Sequence, residues 1–263
     1  DNVGEINLDL LNRINYRYAP PFVYYTHELP LLSFGDVQHT VNLSLVFNYG
    51  SYRDEKYNNK NPFFIAPGYK LNLQKRLLEN EEDDCMSFQE GDGKIVNLIQ
   101  KSDNVFVFDD ESQRILRRTE QSPNQNLVSG GNADYGLGNA FYDYTVEYAD
   151  FRKEKYDESG RITEAFDKYS DDAVLSYAYN ENGQLAAITF RDSKVISLEY
   201  ESNRLKYVKY NNKAVEFFYN ADGTLDRVEH YTGVTYKFNM YKADFALIDV
   251  DFGYKVIALA NGT

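Results

Sequence analysis

The sequence has no tryptophan, one cysteine (Cys85) and six prolines in 263 residues. A single cysteine excludes an intramolecular disulfide and a cysteine-rich zinc site, and Cys85 reads as a buried structural thiol. So few prolines, with no polar low-complexity tract, argue against disorder. Long apolar runs are missing too, and nothing approaches the ~18 residues of a membrane-spanning helix. The first residues lack a basic segment followed by an apolar one, so no signal peptide is read there. Because the chain starts at Asp1 rather than Met, an upstream piece is expected to have been removed. Basic residues are scarce: 28 Lys and Arg stand against 41 Asp and Glu, a formal charge of −13. That surface repels phosphate backbones and anionic lipid headgroups, so neither nucleic acid nor membrane insertion is expected. The one basic cluster, Arg114-Ile-Leu-Arg117-Arg118, follows Asp109, Asp110 and Glu111 and reads as a solvated strand edge.

Aromatic residues are what the chain has in excess, with 24 Tyr and 17 Phe. Both favour the pleated, half-buried surface of a strand. They also recur in a pattern. Tyr156-Asp-Glu-Ser-Gly160-Arg-Ile162, Tyr179-Asn-Glu-Asn-Gly183-Gln-Leu185 and Tyr219-Asn-Ala-Asp-Gly223-Thr-Leu225 share an aromatic, three turn formers, Gly, any residue, then an aliphatic. Tyr200-Glu-Ser-Asn203-Arg-Leu205 is one residue shorter and has Asn where Gly stood, and Tyr241 to Leu247 is a weaker copy without Gly. Asn tolerates the left-handed backbone best after Gly, so the exchange makes physical sense.

Each copy is preceded by alternating apolar residues: Leu175, Tyr177, Tyr179; Ile196, Leu198, Tyr200; Val215, Phe217, Tyr219. Period two puts them on one face of a strand. A tight turn follows, with Gly where φ is positive, and then a second strand, expected to alternate as well (Leu185 to Phe190, Leu205 to Tyr210). A lone hairpin is marginal in water, so neighbours must stack. The fold class expected is all-β: a continuous twisted antiparallel sheet of stacked β-hairpins, open as an arc. Tyr156, Gly160, Tyr179, Gly183, Tyr200, Tyr219 and Gly223 are its structural anchors.

The first half is less regular. Val41, Leu43, Leu45, Phe47 and Tyr49 alternate, as do Tyr69, Leu71 and Leu73, while Val105–Phe108 leads into a loosened copy ending at Ile115. Leu71 to Leu78 could hold a helical turn or two. We divide the chain into an irregular β segment (1–120), a Gly-rich loop with a connecting strand (121–150) and about five hairpin repeats (151–263), all one continuous β domain.

Chemistry is sparse. His27, His39 and His230 read as strand histidines, satisfied or solvent-facing. No nucleophile elbow, phosphate loop or zinc-protease motif occurs. The carboxylates fall in turn runs, where Asp and Asn serve local hydrogen bonds. Asp83, Asp84, Glu90 and Asp92 crowd one turn region, but their spacing fits no calcium loop. We therefore expect no enzyme activity, no catalytic residues, no cofactor and no dedicated metal. Tyr135, Tyr142, Tyr144 and Tyr148, in or just after the Gln121–Asn139 loop, are candidate surface contacts, since long loops on rigid scaffolds often carry function.

The Tyr-x-x-x-Gly-x-Leu series resembles the YD repeats of the Rhs family, also found in teneurins and bacterial ABC toxin components. The first half resembles the segment that opens many Rhs shells, in Ile6-Asn7-Leu8, Leu29-Pro30-Leu31, Phe47-Asn-Tyr-Gly-Ser51, Gly68-Tyr69-Lys-Leu-Asn72-Leu73 and the turn Gly91-Asp-Gly-Lys-Ile95. Ile162, Asp167, Lys168-Tyr169-Ser170, Leu175, Tyr177 and Tyr179 resemble a further family phrase, with Ser170 in place of the usual Gly. The resemblance implies a β-shell that in full-length relatives encloses a toxic domain. The aspartate autoproteolysis motif and the toxin of those relatives are not read in this chain. On this footing the expected role is a non-enzymatic structural module of a secreted or surface-exposed bacterial protein. Its partners would be neighbouring domains or other proteins. The alternative is an adhesion module binding carbohydrate or protein through exposed Tyr and the 121–139 loop.

Overall fold

A computed structural model describes residues 15–17, 26–36, 39–48, 51, 61–80, 85–120, 142–191, 193–241, 245–251 and 256–259. Among these the chain is all-β and antiparallel. A first sheet has the order β1 (Asn15–Arg17), β2 (Thr26–Gly35), β3 (Thr40–Asn48), β4 (Tyr69–Leu71). The second is a meander in which each strand pairs with the next. It begins with β5 (Arg76–Asn80), β6 (Cys85–Gln89), β7 (Ile95–Ser102), β8 (Val105–Phe108), β9 (Ile115–Glu120) and β10 (Tyr142–Glu147). It continues through β11 (Lys153–Tyr156), β12 (Ile162–Phe166), β13 (Ala173–Tyr179), β14 (Leu185–Phe190), β15 (Lys194–Glu201) and β16 (Arg204–Tyr210). It ends with β17 (Lys213–Tyr219), β18 (Leu225–Glu229), β19 (Thr235–Tyr241), β20 (Phe245–Asp251) and β21 (Val256–Leu259).

The repeat units are hairpins. At residues 157–161, 180–184 and 220–224 the turn closes with the same two bonds; in one, the Asn180 N–H donates to Gln184 O and the Gly183 N–H to Asn180 O, both at 2.9 Å. The residue after Tyr caps the loop: Asp157 Oδ1 accepts from the Ser159 and Arg161 amides, and Asn180 Oδ1 from those of Asn182 and Gln184. Ser202 and Asn203 both have positive φ, 49° and 64°, and so make the shorter turn of the degenerate copy.

The second strand of each unit departs from strict alternation. A bulge sits opposite each anchor, between Lys155 and Tyr156, Ala178 and Tyr179, Glu199 and Tyr200, and Phe218 and Tyr219. It leaves two residues between inward side chains, so Leu185 and Ile188, Leu205 and Val208, and Leu225 and Val228 are the buried pairs. A bulge adds twist, and one per hairpin curls the sheet steadily.

The curl is tight at the start. Phe88 on β6 packs edge-to-face on Tyr156 of β11, with centroids 5.7 Å apart. Five strand spacings in a flat sheet would hold them roughly 24 Å apart. The start of β5 meets the 157–161 turn through an isolated Arg76–Arg161 bridge and the Leu77 N–H donating to Gly160 O at 2.9 Å. This is a contact, not a ladder, and the sheet is not closed into a barrel.

Later strands form an open arc covered by the first sheet. Phe34 packs on Phe190 and Tyr210, Phe64 on Tyr200 and Tyr69 on Phe238. β3 is buried on both faces from Leu43 onward, Ser44, Val46 and Asn48 included, because it lies inside the molecule. Each Leu or Phe so enclosed contributes about 1.5–3 kcal/mol. Instead of continuing the main sheet, β1–β4 act as its plug. The segment Leu71–Leu78, read above as a helical turn or two, is the end of β4, a turn closed by Gln74, and β5. Leu71 and Leu77 are drawn into the core from extended backbone, and that burial outweighs helix propensity.

Candidate functional site

Connections between strands alternate between two rims. Residues 157–161, 180–184, 202–203 and 220–224 lie on one, which we call the Tyr rim; 90–94, 109–114, 148–152, 167–172 and 230–234 lie on the opposite rim. The anchor tyrosines work between repeats. Tyr179 Oη donates to Ile162 O at 2.8 Å, Tyr200 Oη to Leu185 O at 2.8 Å and Tyr219 Oη to Leu205 O at 2.7 Å. In every case the acceptor is the aliphatic residue of the preceding repeat. The β14–β15 register ends at Ala187–Ser197 and the β16–β17 register at Tyr207–Glu216, so the carbonyls of Leu185 and Leu205 lie beyond the ladder. A phenol from the next hairpin satisfies them. Burial drives the phenols of Tyr179, Tyr200 and Tyr219 well above their ordinary pKa.

The densest polar cluster is at the seam where the curl meets itself. Lys75 Nζ lies 2.6 Å from Glu154 Oε1 and 2.9 Å from Tyr148 Oη, while Tyr148 and Tyr156 each donate to Glu154 Oε2 at 2.7 Å. Burial alone would neutralise this pair. The opposed charge and the phenol donors outweigh it, holding the Glu154 carboxyl low and the Lys75 ammonium high. Burial and the Glu154 charge push the Tyr148 phenol up to about 12 and those of Tyr156 and Tyr177 up as well. These states are poor for acid–base work near neutrality, because the proton stays on Lys75 and the charge on Glu154. The cluster acts as a clasp.

Beside it, Arg114 is buried rather than on a solvated edge. It pairs with Glu90 and, at 2.7 Å, with Asp110, and its guanidinium lies 4.0 Å from the centre of the Phe108 ring. Curling of the sheet brings the 90–94 and 109–114 turns together, which local charge counting cannot show. A shallow cleft lined by Ser112, Arg114, Tyr148, Ala149, Asp150 and Arg152 opens there.

Of the candidate contact tyrosines, Tyr144 is only 3% exposed and belongs to the core, because alternation along β10 sends it inward with Val146. Tyr142 is half-buried with Arg118 4.6 Å from its ring centre, and Tyr148 is spent in the clasp. Tyr135 and the 121–139 loop lie outside the described residues. Tyr156 is buried, and Gly160, Gly183 and Gly223 have φ of 72°, 75° and 85°. Cys85 lies on β6, its side chain outside the described residues, as is that of His27 on β2.

The other two histidines hold the plug to the opposite rim. His39 Nε2 bonds Asp167 at 2.9 Å. His230 occupies the first position of a turn rather than a strand, donating from Nε2 to Leu31 O at 2.7 Å. The turns 90–94, 148–152 and 230–234 use the same pair of backbone bonds as the Tyr-anchored ones. The first of them is legible in Gly91-Asp-Gly93 and Gly233 could have signalled the last, but nothing in Tyr148-Ala-Asp-Phe151-Arg152 signals the turn at 148–152. Among the described residues no group of three or more His, Cys, Asp and Glu is placed to hold a metal ion. No family model matches the chain, and no curated protein is detectably similar to it.

Proposed function

We propose that the chain is a non-enzymatic scaffold module of the YD-repeat type, part of a secreted or surface-exposed bacterial protein. The supporting observation is the coupling between repeats. Three successive hairpins each offer a carbonyl beyond the end of the ladder to the following strand, and the next hairpin supplies the phenol that satisfies it. Units whose phenol bonds run only to the adjacent hairpin can extend a wall in register, as a shell requires. The strongly perturbed groups at the seam are matched to one another, as clasp residues are. The partners of such a wall are neighbouring domains of a longer product.

The test is the mass and location of the native product, read with an antibody against this region in fractionated source cells. Scaffolding predicts a product far heavier than 30.5 kDa, secreted or at the surface, in which this region resists protease. A cytosolic product of about that mass overturns the reading. The adhesion alternative loses Tyr144 to the core and Tyr148 to the clasp, so its contacts must come from other residues.

A further inference from the structure

We propose that the rim opposite the Tyr rim is a binding edge for a neutral polysaccharide, with Phe151 and Tyr169 as its stacking plates. The proposal does not rest on the scaffold reading. Its starting point is one residue that neither folding nor solvation favours. Phe151 is 77% exposed with φ of 70°, in a turn whose backbone bonds match those at five glycine-bearing turns. Those turns place Gly93, Gly160, Gly183, Gly223 or Gly233 there, with φ between 72° and 85°. An L-residue in that conformation is strained, and strain kept at an exposed aromatic points to use.

The same rim carries the rest. Large exposed aromatics among the described residues are Phe151, Tyr169 at 83% and Tyr231 at 40%, and all three lie in its turns. The turns holding Phe151 and Tyr169 are two strand spacings apart, about 10 Å, close to the repeat of a two-sugar unit along an extended glycan. Beside Phe151, Asp150 and Arg152 form an exposed planar pair at 2.8 Å, suited to accept from and donate to adjacent sugar hydroxyls. The neighbourhood is polar and shallow, unlike the apolar pockets that receive protein hot spots. Neutrality follows from charge. The chain carries −13, and the arginines of the cleft already have partners, Arg114 in Glu90 and Asp110, Arg152 in Asp150.

The experiment is affinity electrophoresis of the whole chain through gels containing laminarin, xyloglucan or dextran, with the polyanion alginate alongside. At least one neutral polymer should retard the protein and alginate should not. F151A and Y169A should each weaken retardation fivefold or more, with circular dichroism unchanged. F151G separates binding from folding: strain relief should raise its melting midpoint by about 2–4 °C while retardation is still lost. Absence of retardation in all three neutral gels, retardation by alginate alone, or wild-type migration of F151A and Y169A would each overturn the proposal.

Discussion

The two parts of the long sheet enclose their concave faces by opposite means. From β5 to β12 the sheet curls until it meets itself, and the join is polar: Lys75, Glu154, Tyr148 and Tyr156, with backbone from Leu77 and Gly160. From β13 onward the arc stays open, and a separate sheet of different sequence character fills it with Leu29, Leu31, Phe34, Leu43 and Phe47. The same hairpin unit serves both. What differs is the seal, electrostatic in the curl and apolar under the plug, and the two seals should fail under different conditions.

Alkali should produce the largest effect. Tyr148, Tyr156, Tyr177, Tyr179, Tyr200 and Tyr219 are all held protonated above their ordinary range. The unfolded chain ionises them near pH 10, so their contribution is complete below that and falls as pH rises further, by about 1.4 kcal/mol per unit for each. Lys75, with its raised pKa, acts in the same direction. Six such groups against a stability of roughly 5–15 kcal/mol predict cooperative unfolding by about pH 11–12. A titration followed by tyrosinate absorbance and circular dichroism checks this; graded ionisation at pH 10 with the fold intact refutes it.

At the seam alone, E154Q or K75A should cost about 3–5 kcal/mol in urea unfolding, because each strands a buried partner. K75M/E154L, which removes both charges, should recover most of that. A loss under 1 kcal/mol in E154Q would make the clasp ornamental.

The glycines sharpen the contrast further. A Cβ on Gly160 would sit 2.5 Å from the Leu77 carbonyl oxygen, whereas at Gly233 it meets nothing within 4 Å. G160A should therefore cost clearly more than the ~1–2 kcal/mol of left-handed strain expected for G233A. Equal losses would show that the join at β5 is not fixed. In the open arc, Y200F and Y219F should each cost about 1–3 kcal/mol by leaving a carbonyl unsatisfied.

The smallest effect belongs to the plug's polar grip. Burial depresses the pKa of His230, so its contribution is present above about pH 6.5 and is lost as pH falls. Amide exchange at residues 31–35 should quicken at pH 5.5, relative to intrinsic rates, more than at residues 43–47.

Local chemistry made the hairpins legible. Gly after three turn formers and apolar alternation before Tyr need no distant partner to be read. The bulge was concealed because Leu-x-x-Val differs from alternation by one residue, and only the opposite strand shows which one is extra. Lys75 and Glu154 are 79 positions apart, and Arg114 reads as surface until the 90–94 turn is brought over it. Phe151 hid its turn because the residue that marks the position elsewhere is absent.

The phenol-to-carbonyl bonds join each hairpin only to the one before it, like tiles that overlap in a single direction. Removing the Tyr219 hairpin takes away one phenol and leaves one carbonyl, that of Leu205, without its partner, whereas removing one from the middle breaks the overlap on both sides. Under tension or protease the wall should open from an end rather than from its middle, one hairpin at a time, with the curl held by Lys75 and Glu154 the last to open.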